Sequence, residues 1–265
     1  MRNLNLHAGG SLQTREQIAA LNYPAPKGAR HVVRSFLDDI ELLTSTLDDF
    51  GYRVTDEGVG VVFDKDNLAR QFFGAIEVRP KALEGEYLPA DERSIVVGIR
   101  GSADQSLPRQ LCAGTNTFVC SNLCFHSNLV NVSTKQTLFI DQRITGLFRD
   151  AIALLPQEVE RDNQRIEAYK NYALSGPKGD SILIELVRRQ ILTASDLPTA
   201  IAEWDKPSPG YEQHAQHGKT AYQLLQACTE AIKPRGAGNR AYIPGAWNRG
   251  LPLIQFLDRG IGLIH

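Results

Sequence analysis

The chain has no run of about 18 apolar residues, the minimum for a membrane-crossing helix. Its first residues, MRNLNLHAGGSL, hold no continuous apolar core of the kind that marks a secretory leader. Both absences lead to the expectation of a cytoplasmic location. Cysteine is scarce, 4 in 265 residues, which excludes a disulfide scaffold and predicts reduced thiols. Surplus charge is lacking too: 29 basic against 30 acidic residues give a net charge of −1, so a globally basic nucleic-acid coat is excluded. Any anionic partner must meet a local patch of Lys and Arg. There is no Gly-x-x-x-x-Gly-Lys cradle, no Gly-x-Ser-x-Gly elbow and no His-Glu-x-x-His pair. Those absences remove the common nucleotide, hydrolase and zinc-hydrolase signatures, and no cofactor is expected.

What remains is ordinary globular composition, 42% hydrophobic and 22% charged. Residues 1–33 read as a loosely tethered arm, a contact element for a partner or neighbouring subunit. Within it Thr14 and Gln17 have capping-box spacing, and Pro24 and Pro26 end the short helix they start. Arg34 to Phe50 is an amphipathic helix, with Phe36, Leu37, Ile40, Leu43, Leu47 and Phe50 on one side. Asp38, Asp39, Asp48 and Asp49 fall on its solvated side, and Gly51 suits a left-handed C-cap.

The pattern then changes to short β-rich runs: Tyr52–Thr55, Val59–Phe63, Gln71–Val78, Ile95–Arg100, Gln110–Cys112, Thr117–Cys120 and Leu129–Val132. Short connections favour antiparallel hairpins. From Phe139 the chain reads helical: a stripe through Ile144, Leu147, Phe148, Ile152 and Leu155, a helix from Pro156 through Tyr169, then Ile182–Leu192, one capped by Asp196, and Ala221–Ile232. The expected fold is α+β, a partly meandering antiparallel sheet over about 52–135 with an N-terminal helix and a helical C-terminal half packed on it. The expected organisation is the arm followed by one domain over 34–258, β-rich at 52–135, helical at 139–233 and basic-aromatic at 233–250.

Two stretches carry most of the chemistry. In the first, Ile95-Val-Val-Gly-Ile-Arg-Gly-Ser-Ala-Asp-Gln-Ser-Leu precedes Asn116-Thr-Phe-Val-Cys-Ser-Asn122. Ser102, Asp104 and Ser106 suit a turn bonded to its own backbone, or a phosphate-binding loop beside Arg100, Arg109 and Asn122. Cys120, Cys124 and His126 suggest a metal. Their Cys-x-x-x-Cys-x-His spacing lacks the second ligand pair of a structural zinc site, so buried thiols are the simpler reading. His214 and His217, three apart, read as a solvated loop. An enzyme centred on Asp104, Cys120 and Asn122 ranks below a binding protein.

This stretch, with Gly218-Lys-Thr-Ala-Tyr-Gln-Leu-Leu-Gln-Ala-Cys-Thr-Glu near the end, resembles the phage/plasmid-like protein family (domain of unknown function 932). Ser102, Asp104, Ser106, Phe118, Cys120, Ser121 and Asn122 match the family pattern. Gly101, Ala103 and Gln105 replace its usual Asn, His and Gly, which removes an imidazole and speaks against a left-handed turn. The resemblance runs from about Val32 to Phe256. It implies a mobile-element origin and brings no established activity.

The second stretch, Ile232–Leu257, contains Lys233, Arg235, Arg240 and Arg249 with Tyr242 and Trp247 between them. Gly236, Gly238, Gly245 and Gly250 are interspersed, and Lys219 heads the preceding helix. Cations beside aromatic platforms suit single-stranded nucleic acid, whose phosphates meet Arg and whose bases stack on rings. The plain alternative is rings packed on a core with the Arg residues in water. The expected role is single-stranded DNA binding, accessory to recombination, annealing or replication, with homo-oligomers fitting that role. A module that targets a host defence or nuclease protein is the alternative.

Overall fold

The computed structural model describes residues 10–83, 95–115, 130–135, 137–209, 212–232 and 249–263. Six strands form one antiparallel sheet in simple sequence order: β1 (Ser11–Gln13), β2 (Tyr52–Phe63), β3 (Ala69–Pro80), β4 (Ile95–Ser102), β5 (Arg109–Thr115) and β6 (Val130–Thr134). Helices α1 (Arg15–Ala19) and α2 (Phe36–Asp49) precede β2. After the sheet come α3 (Ile140–Ala153), α4 (Leu155–Asn171), α5 (Gly176–Arg188), α6 (Leu197–Asp205), α7 (Ala221–Ile232) and α8 (Gly250–Gly260). The fold is α+β. No helix among the described residues is long and apolar enough to cross a membrane.

Local chemistry sets the early elements. Thr14 and Gln17 form the expected capping box: the Gln17 amide donates to Thr14 Oγ1 at 3.3 Å, and the Thr14 amide donates to Gln17 Oε1 at 2.8 Å. Ser35 caps α2, and Gly51 leaves it at φ +80°, the left-handed geometry that suits glycine. The two β runs expected at 52–55 and 59–63 are one strand, β2. A bulge between Val54 and Asp56 bends it, and Gly58 and Gly60 continue the ladder opposite Ala75 and Phe73. The expected run Thr117–Cys120 lies outside the described residues.

These residues divide into two compact units, 10–159 and 160–232 with 249–263, where the sequence suggested one domain. Each buries its own core. In the first, one sheet face presents Val61 beside Phe72, Ile76 beside Val97, and Ile99 beside Leu111. Helix α2 packs on β2, and α3 packs on β6 and α2. Phe36, Ile40, Leu43, Leu47, Ile144, Phe148 and Ile152 close that core.

The N-terminal arm, expected to be loose, is seated within its described part. β1 pairs with β2, Ile18 is only 1% exposed, and Arg15 holds Glu57 in a two-point ion pair at 2.7 and 2.6 Å. Tyr23 accepts the Phe36 amide at 3.0 Å and meets its ring edge-on. Burying Ile18 in the core takes its apolar surface out of water, which favours the seated arm.

In the second unit α7 is buried along most of its length and contacts α6 and α8. Gly179 admits the Trp204 ring: a Cβ there would stand 2.6 Å from Trp204 Nε1. Helix α8 was not anticipated. Pro252 falls in its first turn, where the missing N–H costs nothing, and Leu253, Ile254 and Leu257 face inward.

Candidate functional site

The hairpin between β4 and β5 and the start of α2 converge on Asp39. This carboxylate was expected on the solvated flank of α2; it is fully buried. Arg109 Nε lies 2.6 Å from Asp39 Oδ2, an ion pair by distance though not aligned as a hydrogen bond. On the other side Arg34 Nε donates to Asp39 Oδ1 at 2.5 Å. The Arg109 guanidinium also donates to the backbone oxygens of Ser102 and, at 2.9 Å, of Arg34. Its Cζ lies 5.4 Å from the ring centroids of both Phe36 and Phe72, which stack on each other at 4.5 Å. Arg34 reaches on to Asp141 in the first turn of α3. Burial pushes the Asp39 carboxyl up, and the two guanidiniums oppose that shift.

This corrects the expectation for Arg109. It was placed at the mouth of a phosphate-binding loop, but only 1% of it is exposed and its donors are engaged inside the protein. The reason is visible at Gly101. A Cβ there would stand 2.6 Å from Arg109 Nη1 and 2.9 Å from the Phe72 ring, so a side chain at 101 would displace the arginine. Gly101 thus leaves the space that Arg109 occupies.

The turn itself is bonded internally. Asp104 accepts from the Ser106 amide at 3.0 Å, from Ser106 Oγ at 2.5 Å and from Arg70 Nε at 2.7 Å. Burial works against the Asp104 charge, but the Ser106 hydroxyl and amide with Arg70 outweigh it and hold the carboxyl below its ordinary value. Ser102 Oγ exchanges bonds with Leu107, accepting its amide and donating to its carbonyl, both at 3.0 Å. Gln71 donates to Ser106 Oγ at 2.8 Å. Arg100 Nε donates to Gln110 Oε1 at 2.8 Å on the opposite sheet face. Gln105 takes φ +62°, so the turn is left-handed at a residue other than glycine. Asn122 of this hairpin set lies outside the described residues, as do the metal candidates Cys120, Cys124 and His126. Among the described residues no three His, Cys, Asp or Glu side chains gather as a metal site. His217 is exposed, beyond the short turn that holds His214.

Of the basic-aromatic set, Lys233, Arg235, Arg240, Tyr242 and Trp247 lie outside the described residues. The two members that are described are both engaged. Lys219 Nζ stands 4.3 Å over the Trp204 ring and donates to Trp204 O at 3.2 Å and Asp205 Oδ1 at 3.1 Å, a cation at the C-terminal end of α6. Arg249 pairs with Asp196 at 2.5 Å. Asp196 was expected to cap α6 with its side chain; it serves Arg249 and the Thr193 amide instead.

A cluster that sequence reading missed joins α4 to α8. Tyr169 donates to Asp258 Oδ1 at 2.6 Å. Arg165 bridges Asp258 at 3.2 Å and Asp162 at 3.2 Å. Asp162, Arg165 and Tyr169 follow a helical stripe, the signal that could have marked them. No family model, no curated protein and no solved structure matches the chain.

Proposed function

We propose that the chain binds single-stranded nucleic acid, DNA foremost, through the connection between α7 and α8, and performs no chemistry of its own. The observation that carries this reading is the composition of residues 233–248: Lys233, Arg235 and Arg240 with Tyr242 and Trp247, and no acidic residue, Arg249 beyond them being held by Asp196. Elsewhere the conspicuous cations are committed. Arg34 and Arg109 serve Asp39, Arg165 serves two aspartates, and Lys219 closes α6. The resemblance to the phage/plasmid-like protein family agrees with a role in recombination, annealing or replication of a mobile element.

The competing role, a module that targets a host protein, leaned on the arm as its contact element. That arm is seated on its own sheet through Ile18 and Arg15.

The test is fluorescence anisotropy with a labelled single-stranded oligonucleotide over a range of salt. Affinity is expected to fall with salt at a slope of about −0.7 per phosphate neutralised. Trp247→Ala is expected to weaken binding by about 1–3 kcal/mol, the worth of one stacked base. Absence of binding at low salt would remove the reading, and stronger capture of a host protein after nuclease treatment would favour its competitor.

A further inference from the structure

The outer edge of β2 has two halves of different chemistry. Residues 53–57 carry Arg53, Asp56 and Glu57 and contain the bulge. Charge and a bulge are the usual protections of a free strand edge. Residues 58–63, Gly-Val-Gly-Val-Val-Phe, carry no charge and form a regular ladder with β3 up to Val62. A flat, uncharged, β-prone edge is a template for another strand. The three-residue β1 pairs with this unprotected half and no other, Ser11 opposite Val61 and Gln13 opposite Val59. Gly10 lies over the Val61 backbone, where a Cβ would stand 3.1 Å from it.

We propose that the N-terminal arm is a removable guard of this edge, and that its displacement lets a second copy of the chain add there, β2 against β2. The pairing is self-complementary. In an antiparallel register centred on Val61, Val59 of one copy faces Phe63 of the other and Gly60 faces Val62. The same register sets Lys65, just past the strand, toward Glu57 of the second copy, twice by symmetry. Glu57 is the carboxylate that Arg15 holds while the arm is seated. One ion pair is therefore exchanged for another when the arm leaves.

The experiment uses the full chain. Arg15→Glu sets two carboxylates face to face and unseats the arm, with Gly10→Val added if the β1 amides remain protected from exchange. Light scattering after size exclusion is expected to show the mass doubling. The charge reversal Arg15→Glu with Glu57→Arg is expected to restore the single-chain mass. Val62→Lys in the unseated chain is expected to do the same by charging the edge. A folded chain with freely exchanging β1 amides and an unchanged mass overturns the proposal. A dimer that persists with Val62→Lys also overturns it, because the association would then not run through this edge.

Discussion

The sheet unit and the helical unit both bury charge, with opposite surplus. In the sheet unit two arginines, Arg34 and Arg109, meet one buried carboxylate, Asp39. In the helical unit two buried carboxylates, Asp162 and Asp258, meet one arginine, with the Tyr169 hydroxyl as a further donor. The surroundings differ as well. Arg109 lies against the stacked Phe36–Phe72 pair and is sealed from water, whereas the Arg165 side chain keeps 13% of its exposure. A sealed ion must be neutralised by its neighbours; one that touches water is partly solvated when a neighbour is lost. The same side-chain chemistry thus tolerates damage differently in the two units.

That difference is measurable. Asp39→Ala strands the buried Arg109 beside Phe36 and Phe72, and a loss of about 3–5 kcal/mol is expected, read from the urea midpoint. Replacing both members, Asp39→Leu with Arg109→Leu, is expected to recover most of that loss, because no charge is then left without a partner. If the double variant is as unstable as Asp39→Ala, the pair holds the hairpin by geometry rather than by charge. Asp258→Ala is expected to cost less, about 1–3 kcal/mol, since Arg165 keeps Asp162 and its contact with water. Equal losses at the two sites would erase the distinction.

Much of the fold was legible because it is written locally. The Phe36, Ile40, Leu43, Leu47 stripe gives α2, Thr14 with Gln17 starts α1, and alternating β-branched residues separated by turns give the strands. The units and their charged cores were not legible, because they depend on pairs far apart in sequence. Asp39 beside Asp38 looks like one of two solvated carboxylates until Arg109 arrives from another strand. Arg109 looks like a surface cation until Gly101 opens its path. β2 was split in two because Gly58 and Gly60 resemble punctuation, and only their ladder partners Ala75 and Phe73 show otherwise. Helix α8 was hidden because Gly250 and Pro252 occupy its first turn. The arm was read as loose because its anchors, Glu57 and the site for Ile18, lie on other elements.

The smallest effect belongs to the hairpin turn, where Asp104 and Arg70 are paired near the surface. An ordinary aspartate titrates near 3.9, and in the folded chain Asp104 titrates below its ordinary value. A carboxylate depressed by folding stabilises the native state above its unfolded value, and that contribution fades as pH falls through the folded value. Asp104→Asn removes the effect and is expected to cost under about 1 kcal/mol at neutral pH, in keeping with an ion pair whose arginine is open to solvent. The difference from the parent chain is expected to shrink as pH drops below about 4 and to vanish once the parent's Asp104 is protonated. Denaturant midpoints of the parent and the Asp104→Asn variant from pH 7 to pH 3 would show whether the contribution fades in this manner.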